Sequence, residues 1–415
     1  MKKITIIGLG YVGLPLAIEF GKKFDVLGFD ISKSRIRELK KGIDSNGEFK
    51  KNEILKKKIN FTYSENDIIH SEFYIITVPT PLKKSNKPDL GPLKDASLIV
   101  GKKIKKGDIV IFESTVYPGC TEDECVPILE KNSGLVYNID FFCGYSPERI
   151  NPGDKKRKLS NIKKVVSGSN SKVSKIVNDL YSKIITAGTY IAPSIKVAEA
   201  SKIIENVQRD VNISLMNEFA LIFEKLNLDT KEVLDAASTK WNFLNFKPGL
   251  VGGHCIGVDP YYLAYKSEKS GYKPKVLLNG RKVNNNISKN IFKSIQKECV
   301  NSEIDLKKCR ILILGITFKE NCSDTRNSRV VNLYNHFKKL NNKIDVYDPN
   351  ADKDEVYHFS NIKLIDTIDK KYDVVVLAVA HNQFLKIDYK NILNKNYVLY
   401  DVKSVLPKKL ITLRL

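Results

Sequence analysis

The stretch Lys3-Ile-Thr-Ile-Ile-Gly-Leu-Gly-Tyr-Val-Gly13 decides the fold. Lys3–Ile7 reads as a strand, Gly8–Gly13 as a GxGxxG turn, Leu14–Lys22 as a helix and Asp25–Phe29 as a second strand. In such a turn Gly8 permits the tight reversal and Gly10 lets the backbone approach a pyrophosphate. Gly13 lets helix and strand pack closely. The phosphates would sit at the helix N-terminus, where free N–H groups and the helix dipole favour anions. Asp30 closes the second strand 17 residues past Gly13, at the position from which a carboxylate binds an adenosine ribose hydroxyl. A carboxylate there repels a 2′-phosphate, so the turn favours NAD over NADP. The nearby cations Lys33 and Arg35 leave NADP open.

Further βα alternation follows, with apolar strands at Phe73–Thr77 and Asp108–Phe112, which predicts a parallel sheet covered by helices on both faces. The texture changes near Pro193. From Ser194 to Leu226 there is no Gly or Pro, and Ile203, Val207, Val211, Leu215, Phe219 and Ile222 recur at helical spacing. So long a helix predicts a spine between domains and a dimer surface. Beyond Ile304, strands at Arg310–Leu314, Lys343–Tyr347 and Asp373–Val379 restore α/β alternation without a second GxGxxG. The expected architecture is α/β: two Rossmann-like parallel-sheet domains, 1–192 and 304–415, joined by a long central helix and helical dimerisation domain, 193–303.

A chain of 415 residues with 42% hydrophobic and 28% charged side chains is expected to form several globular domains rather than a disordered or fibrous protein. The apolar runs are of strand length and short of the ~20 residues that span a bilayer, which predicts a cytoplasmic protein with no membrane partner. The net charge of +22 comes from lysines scattered along the chain, as a solvated surface would have them. It suits an anionic small molecule. No nucleic-acid-reading motif accompanies it. Seven cysteines form no CxxC pair, and five histidines lie far apart, so no metal site is expected.

The string GGHCIGVDP, Gly252–Pro260, sets one cysteine apart. Glycines ahead of Cys255 permit close backbone approach, and Asp259 four residues later can orient water or relay a proton. A lone cysteine is usually a small buried hydrophobe, so this string by itself leaves packing and catalysis both open. On the long helix Glu199, Lys202, Asn206 and Arg209 share one face. That stripe is either a solvated face, with Glu199 and Arg209 as surface partners, or a site in which a lysine and an amide one turn apart hold an oxyanion.

With these residues in hand, the chain resembles the UDP-glucose/GDP-mannose dehydrogenase family over essentially its whole length. The resemblance rests on seven ordered motifs: GLGYVG (Gly8–Gly13), VPTP (Val78–Pro81), ESTVYPG (Glu113–Gly119), SPERINPGD (Ser146–Asp154), EASKIIENVQRDVNISLMNE (Glu199–Glu218), PGLVGGHCIGVDPYYL (Pro248–Leu263) and GITFKENCSDTRNSR (Gly315–Arg329). It implies oxidation of a sugar C6 alcohol to an acid in two hydride transfers to NAD. Cys255 would capture the intermediate aldehyde as a thiohemiacetal, which is then oxidised to a thioester and hydrolysed. By motif position, Glu148 would be general base or water activator. Lys202 and Asn206 would steady the oxyanion, as a fixed cation or an acid/base in the case of Lys202. Asp259 would help to activate water, and Thr115 would position water or the substrate hydroxyl. The same resemblance assigns Gly8, Gly10, Tyr11, Val12, Gly13, Asp30, Arg35, Thr80, Thr115 and Arg326 to the cofactor. It assigns Glu148, Arg149, Lys202, Asn206, Phe246, Gly249, Gly252 and Lys319 to a UDP-sugar substrate. Arg281 is either a substrate or neighbouring-subunit contact, or a surface salt bridge. A homodimer or higher homo-oligomer is implied.

Around the cysteine, His254 and Val258 differ from the usual UDP-glucose pattern, which lacks that histidine and carries a lysine before the aspartate. With KWNFLNFKPG at Lys240–Gly249 they are similar to the UDP-N-acetylhexosamine branch (UDP-GlcNAc or UDP-GalNAc), which serves capsule and O-antigen synthesis. UDP-N-acetylmannosamine and UDP-glucose remain alternatives, as does a β-hydroxyacid-type enzyme performing a single oxidation. A basic nucleic-acid-binding protein would leave every motif unexplained.

Overall fold

The computed structural model describes residues 3–55, 59–150, 157–253, 256–340 and 343–415. The chain forms two compact units: residues 1–205 with 261–272, and residues 206–260 with 273–415. Compactness thus groups the chain differently from the three segments read in the sequence, because the central segment is shared between the two units.

The first unit is built on an eight-stranded sheet: β1 (Lys3–Ile7), β2 (Asp25–Phe29), β3 (Ile59–Thr62), β4 (Phe73–Ile76), β5 (Ile109–Phe112), β6 (Phe142–Tyr145), β7 (Lys164–Gly168) and β8 (Thr189–Ile191). Their order is β3-β2-β1-β4-β5-β6-β7-β8, so the chain winds outward in opposite directions from β1 and β4. In such a sheet the crevice at the carboxyl ends of the two central strands is where ligands bind. All pairs are parallel except β6 with β7, where Gly144 faces Gly168 and Tyr145 faces Ser167. That reversal was not legible in the sequence. It brings the start of β7 to the same edge of the sheet as the end of β6. Ile4, Ile6, Ile75 and Ile111 of the strands pack against Leu16 and Phe20 of the helix Gly13–Phe20 and Val177 and Tyr181 of the helix Ser171–Ser182.

The second unit carries a five-stranded, all-parallel sheet: β9 (Ile311–Leu314), β10 (Ile344–Tyr347), β11 (Tyr372–Leu377), β12 (Leu393–Asp401) and β13 (Leu413–Arg414), in the order β10-β9-β11-β12-β13. Ile311 and Ile313 face one apolar cluster, and Leu312 and Leu314 face the other. That strict alternation of a strand buried on both faces explains its unbroken apolar run. The expected central helix is present as Ile195–Lys225, 31 residues and roughly 46 Å long, with its first eleven residues in the first unit and the rest in the second. A second long helix, Lys275–Asn301, crosses it closely at Gly280, where a Cβ would lie 2.8 Å from Ser214 Oγ. No helix among the described residues is long and apolar enough to cross a membrane.

Candidate active site

The glycine turn follows β1 at the switch in strand order. Gly8 has φ +92°, a conformation open to glycine at no steric cost, and its amide donates to Phe29 O at 2.8 Å. A Cβ on Gly13 would lie 1.8 Å from Gly8 O, so the start of the helix can approach the turn only as glycine. Over Gly10 there is open space, as a ligand approaching the backbone requires. Val12 packs against the core, and Tyr11 is half-buried beside it. Asp30 accepts from Leu9 N (2.8 Å) and Ser32 N (2.9 Å), which fixes its carboxylate at the end of β2 with lone pairs to spare. Arg35 is anchored beside the turn: its Nε donates to Leu9 O, and its guanidinium pairs with Asp44 at 2.8 Å. An open glycine turn next to an anchored carboxylate fits an adenine dinucleotide without a 2′-phosphate.

The loops after β4 and β5 are stitched together above the same edge. Thr80 Oγ1 donates to Thr115 O (2.7 Å), and Ser114 Oγ donates to Val78 O (2.7 Å). Glu148 follows β6 and is nearly buried. Its Oε1 accepts from the amides of Arg149 and Ile150, both at 2.6 Å, and its Oε2 accepts from Lys164 Nζ at 3.0 Å. Arg149 forms an ion pair with Glu205. Lys202, half-buried on the long helix, stands one turn before Asn206.

The polar stripe on the long helix divides in two. Glu199 is fully buried and accepts from the amides of Gly119 (2.5 Å) and Thr121 (2.9 Å), whereas Arg209 is exposed. The alternative of a surface pair between them is therefore corrected, since burial removes Glu199 from solvent. Burial pushes its carboxyl up to about 7, against the pull of the two amides.

In the second unit Asn206 Nδ2 donates to Asp259 Oδ2 at 2.6 Å, both residues being buried. His254 and Cys255 lie outside the described residues. Gly253 has φ +82°, and a Cβ there would meet the Phe318 ring at 2.8 Å; a Cβ on Gly252 would meet Asn327 O at 2.7 Å. Asn327 closes the contact by donating to Gly253 O (2.8 Å). Gly252 and Gly253 thus pack against the 315–329 loop, which carries Lys319 and Arg326. Thr317 Oγ1 donates to the Lys319 carbonyl (3.0 Å), and Arg326 forms a bidentate pair with Asp324. Gly249 is clamped by Asn217, which accepts from its amide (2.8 Å) and donates to its carbonyl (3.1 Å); Phe246 precedes it, half-exposed.

Arg281 is no surface residue. It is 1% exposed, its guanidinium donating to Asp210 Oδ1 (2.5 Å) and Asn285 (2.6 Å) between the two long helices. Among the described cysteines, burial pushes the Cys143, Cys299 and Cys322 thiols up, away from nucleophilic character. Sequence reasoning missed Lys164 and Glu113, although Glu113 opens one of the quoted motifs. Lys164 was hidden among the many scattered lysines.

Residues 2–185, 196–286 and 312–408 match, in turn, the NAD binding domain, the central domain and the UDP binding domain of the UDP-glucose/GDP-mannose dehydrogenase family. The chain is 51% identical to the UDP-N-acetyl-D-glucosamine 6-dehydrogenase of Salmonella typhi, over 100% of this chain and 98% of that one. It is 52% identical to Protein CapL of Staphylococcus aureus, over 98% and 96%. The solved UDP-D-ManNAc dehydrogenase from Pyrococcus horikoshii superposes with a TM-score of 0.90 at 27% identity, over 99% and 98%.

Proposed function

The chain belongs to the UDP-glucose/GDP-mannose dehydrogenase family, and from that premise we propose that it oxidises the C6 alcohol of a UDP-N-acetylhexosamine, UDP-GlcNAc or UDP-GalNAc, to the uronic acid for surface-polysaccharide synthesis. The reading is supported by full-length likeness to a UDP-N-acetyl-D-glucosamine 6-dehydrogenase. The observation that carries the chemistry is the buried Asn206–Asp259 hydrogen bond. It ties the helix bearing Lys202 to the segment that follows Cys255. The enzyme works in the cytoplasm as a homodimer or larger homo-oligomer, with a cofactor segment, a central segment and a UDP-sugar segment.

Bound NAD supplies the two-electron acceptor for each oxidation, held by the Gly8–Gly13 turn and Asp30, with Thr80 and Arg326 as further contacts. Thr115 orients the C6 hydroxyl. Lys202 and Asn206 stabilise negative charge on its oxygen, the cation and the amide doing so at fixed positions. Loss of the hydroxyl proton and of one C6 hydrogen with its electron pair gives the aldehyde. Cys255 adds its sulfur to the aldehyde carbon as a proton passes to the aldehyde oxygen, giving a thiohemiacetal whose carbon still bears a hydrogen. Loss of that hydrogen with its electron pair, and of the hydroxyl proton, leaves a thioester. Glu148 and Asp259 deliver water to the thioester carbon, and the bond to sulfur breaks, restoring the thiol and releasing the acid. Arg149, Phe246, Gly249, Gly252 and Lys319 hold the nucleotide sugar.

The test is a panel of UDP-Glc, UDP-GlcNAc, UDP-GalNAc, UDP-ManNAc and GDP-Man, with NADH counted per sugar consumed. Two NADH per UDP-GlcNAc or UDP-GalNAc is the expected result. A preference for UDP-ManNAc or UDP-Glc, or one NADH per sugar, contradicts it.

A further inference from the structure

Among the described strands of its sheet, β7 and β8 run opposite to the other six, β7 pairing antiparallel with β6, and the first residue of β7 is a lysine. In a parallel strand that residue would lie at the edge far from the ligand crevice. Reversed, and with the Gly144–Gly168 and Tyr145–Ser167 pairing continued outward, Lys164 comes opposite Glu148 at the crevice edge. Lys164 is 2% exposed. Its Nζ donates to Glu148 Oε2 (3.0 Å), Glu113 Oε2 (2.6 Å) and Pro147 O (3.2 Å), and it lies 5.5 Å from the centre of the Tyr181 ring. Glu113, fully buried at the end of β5, uses its other oxygen to accept from the Tyr181 hydroxyl.

A buried ion group of this kind is weak as a source of stability. Removing charges from water costs about as much as their attraction returns, so apolar replacements are often neutral. The strand's next two residues, Val165 and Val166, show what packing alone selects at this place. What the charges achieve is orientation: Glu148 cannot rotate without abandoning two amides on one oxygen and an ammonium on the other. The geometry points to Lys164, braced by Glu113 and Tyr181, as the positioning residue that aims the Glu148 carboxylate for thioester hydrolysis.

The Lys164 ammonium remains charged because the two carboxylates outweigh the penalty of burial, and its proton affinity is raised. Burial pushes Glu113 up to about 7, with Lys164 opposing. Glu113 therefore serves as an adaptable counter-charge, and Lys164 as the fixed one. The inference rests on the role proposed for Glu148.

Three variants separate that role from this inference: Glu148→Gln, Lys164→Met, and the Glu113→Gln/Lys164→Met pair, which removes the fully buried Glu113 charge together with its counter-charge if the single Lys164 change fails to fold. Folded Lys164→Met or the paired variant is expected to lose roughly tenfold or more in kcat, the lower end of general-base contributions, with KM for NAD and UDP-sugar little changed. Intact mass should show a uronyl adduct on Cys255 accumulating during turnover, and Lys164→Arg should restore part of the rate. Unchanged kcat in the folded paired variant overturns the inference while a defective Glu148→Gln leaves the Glu148 role standing. A Glu148→Gln enzyme with full kcat removes the role and the inference together. Loss of rate that merely tracks loss of melting temperature, with no adduct and no rescue by arginine, also overturns it.

Discussion

Two buried charge clusters, one in each unit, look alike and are placed differently. In the first unit Lys164 holds Glu113 and Glu148 beside the loops that follow β5 and β6. In the second, Arg281 and Asn284 hold Asp210 at the crossing of the two long helices, with Asn284 also linked to Asn217. Both exclude water. The Lys164 cluster ends on a loop carboxylate at the ligand edge of a sheet, whereas the Arg281 cluster ends, through Asn217, on the backbone amide and carbonyl of Gly249, which carry no acid–base chemistry. Burial and ion pairing alone do not mark a catalytic group; what the last member of the network touches does.

The contrast can be broken most forcefully at Arg281. Arg281→Met strands a buried carboxylate at Asp210, whose proton affinity burial already raises, and should cost about 3–5 kcal/mol of stability. Denaturant unfolding should show that loss, while the rate per folded molecule stays near wild type. A defect in rate without a defect in stability would erase the distinction between the clusters. Gly13 gives a smaller effect at a third kind of place, where packing and cofactor binding share the same atoms. Gly13→Ala must displace the turn, since its Cβ would stand 1.8 Å from Gly8 O, and overpacking of this sort costs about 1–3 kcal/mol. KM for NAD should rise with kcat little changed; an unaltered KM contradicts the turn's role.

Glu199 sharpens the comparison most finely, as a buried carboxylate hydrogen-bonded to backbone amides. Its carboxyl is pushed by burial from an ordinary value of 4.5 up to about 7. Between those values the folded chain keeps a proton that the unfolded chain has lost, so stability falls as pH rises through that window. The melting temperature of Glu199→Gln should depend less steeply on pH there than that of the wild type. Equal slopes would refute the assignment.

Much of this was legible because the fold is written in local patterns. The glycine turn, the flanking strands and the glycine-free run from Ser194 each announce themselves within a short window, and β1, β2 and the long helix fall where those windows put them. The Asn206–Asp259 bond joins two residues already singled out, because each lies in its own motif. Lys164 was illegible for a different reason. Its role depends on β7 running antiparallel to β6, a choice of pairing that leaves no mark on the residues themselves. Arg281 misled as a possible surface residue because its partner Asp210 lies on another helix, 71 positions away in sequence.

The central claim concerns a thiol whose flanks, Gly253 and Asp259, are fixed by Phe318, Asn327 and Asn206. The measurement that tests it most directly is the product formed by Cys255→Ser with UDP-GlcNAc and NAD, followed by mass spectrometry of the sugar and by NADH yield. The account predicts that this variant stalls after partial oxidation and makes no uronic acid at two NADH per sugar. Full conversion to the acid would remove Cys255 from the nucleophile's role.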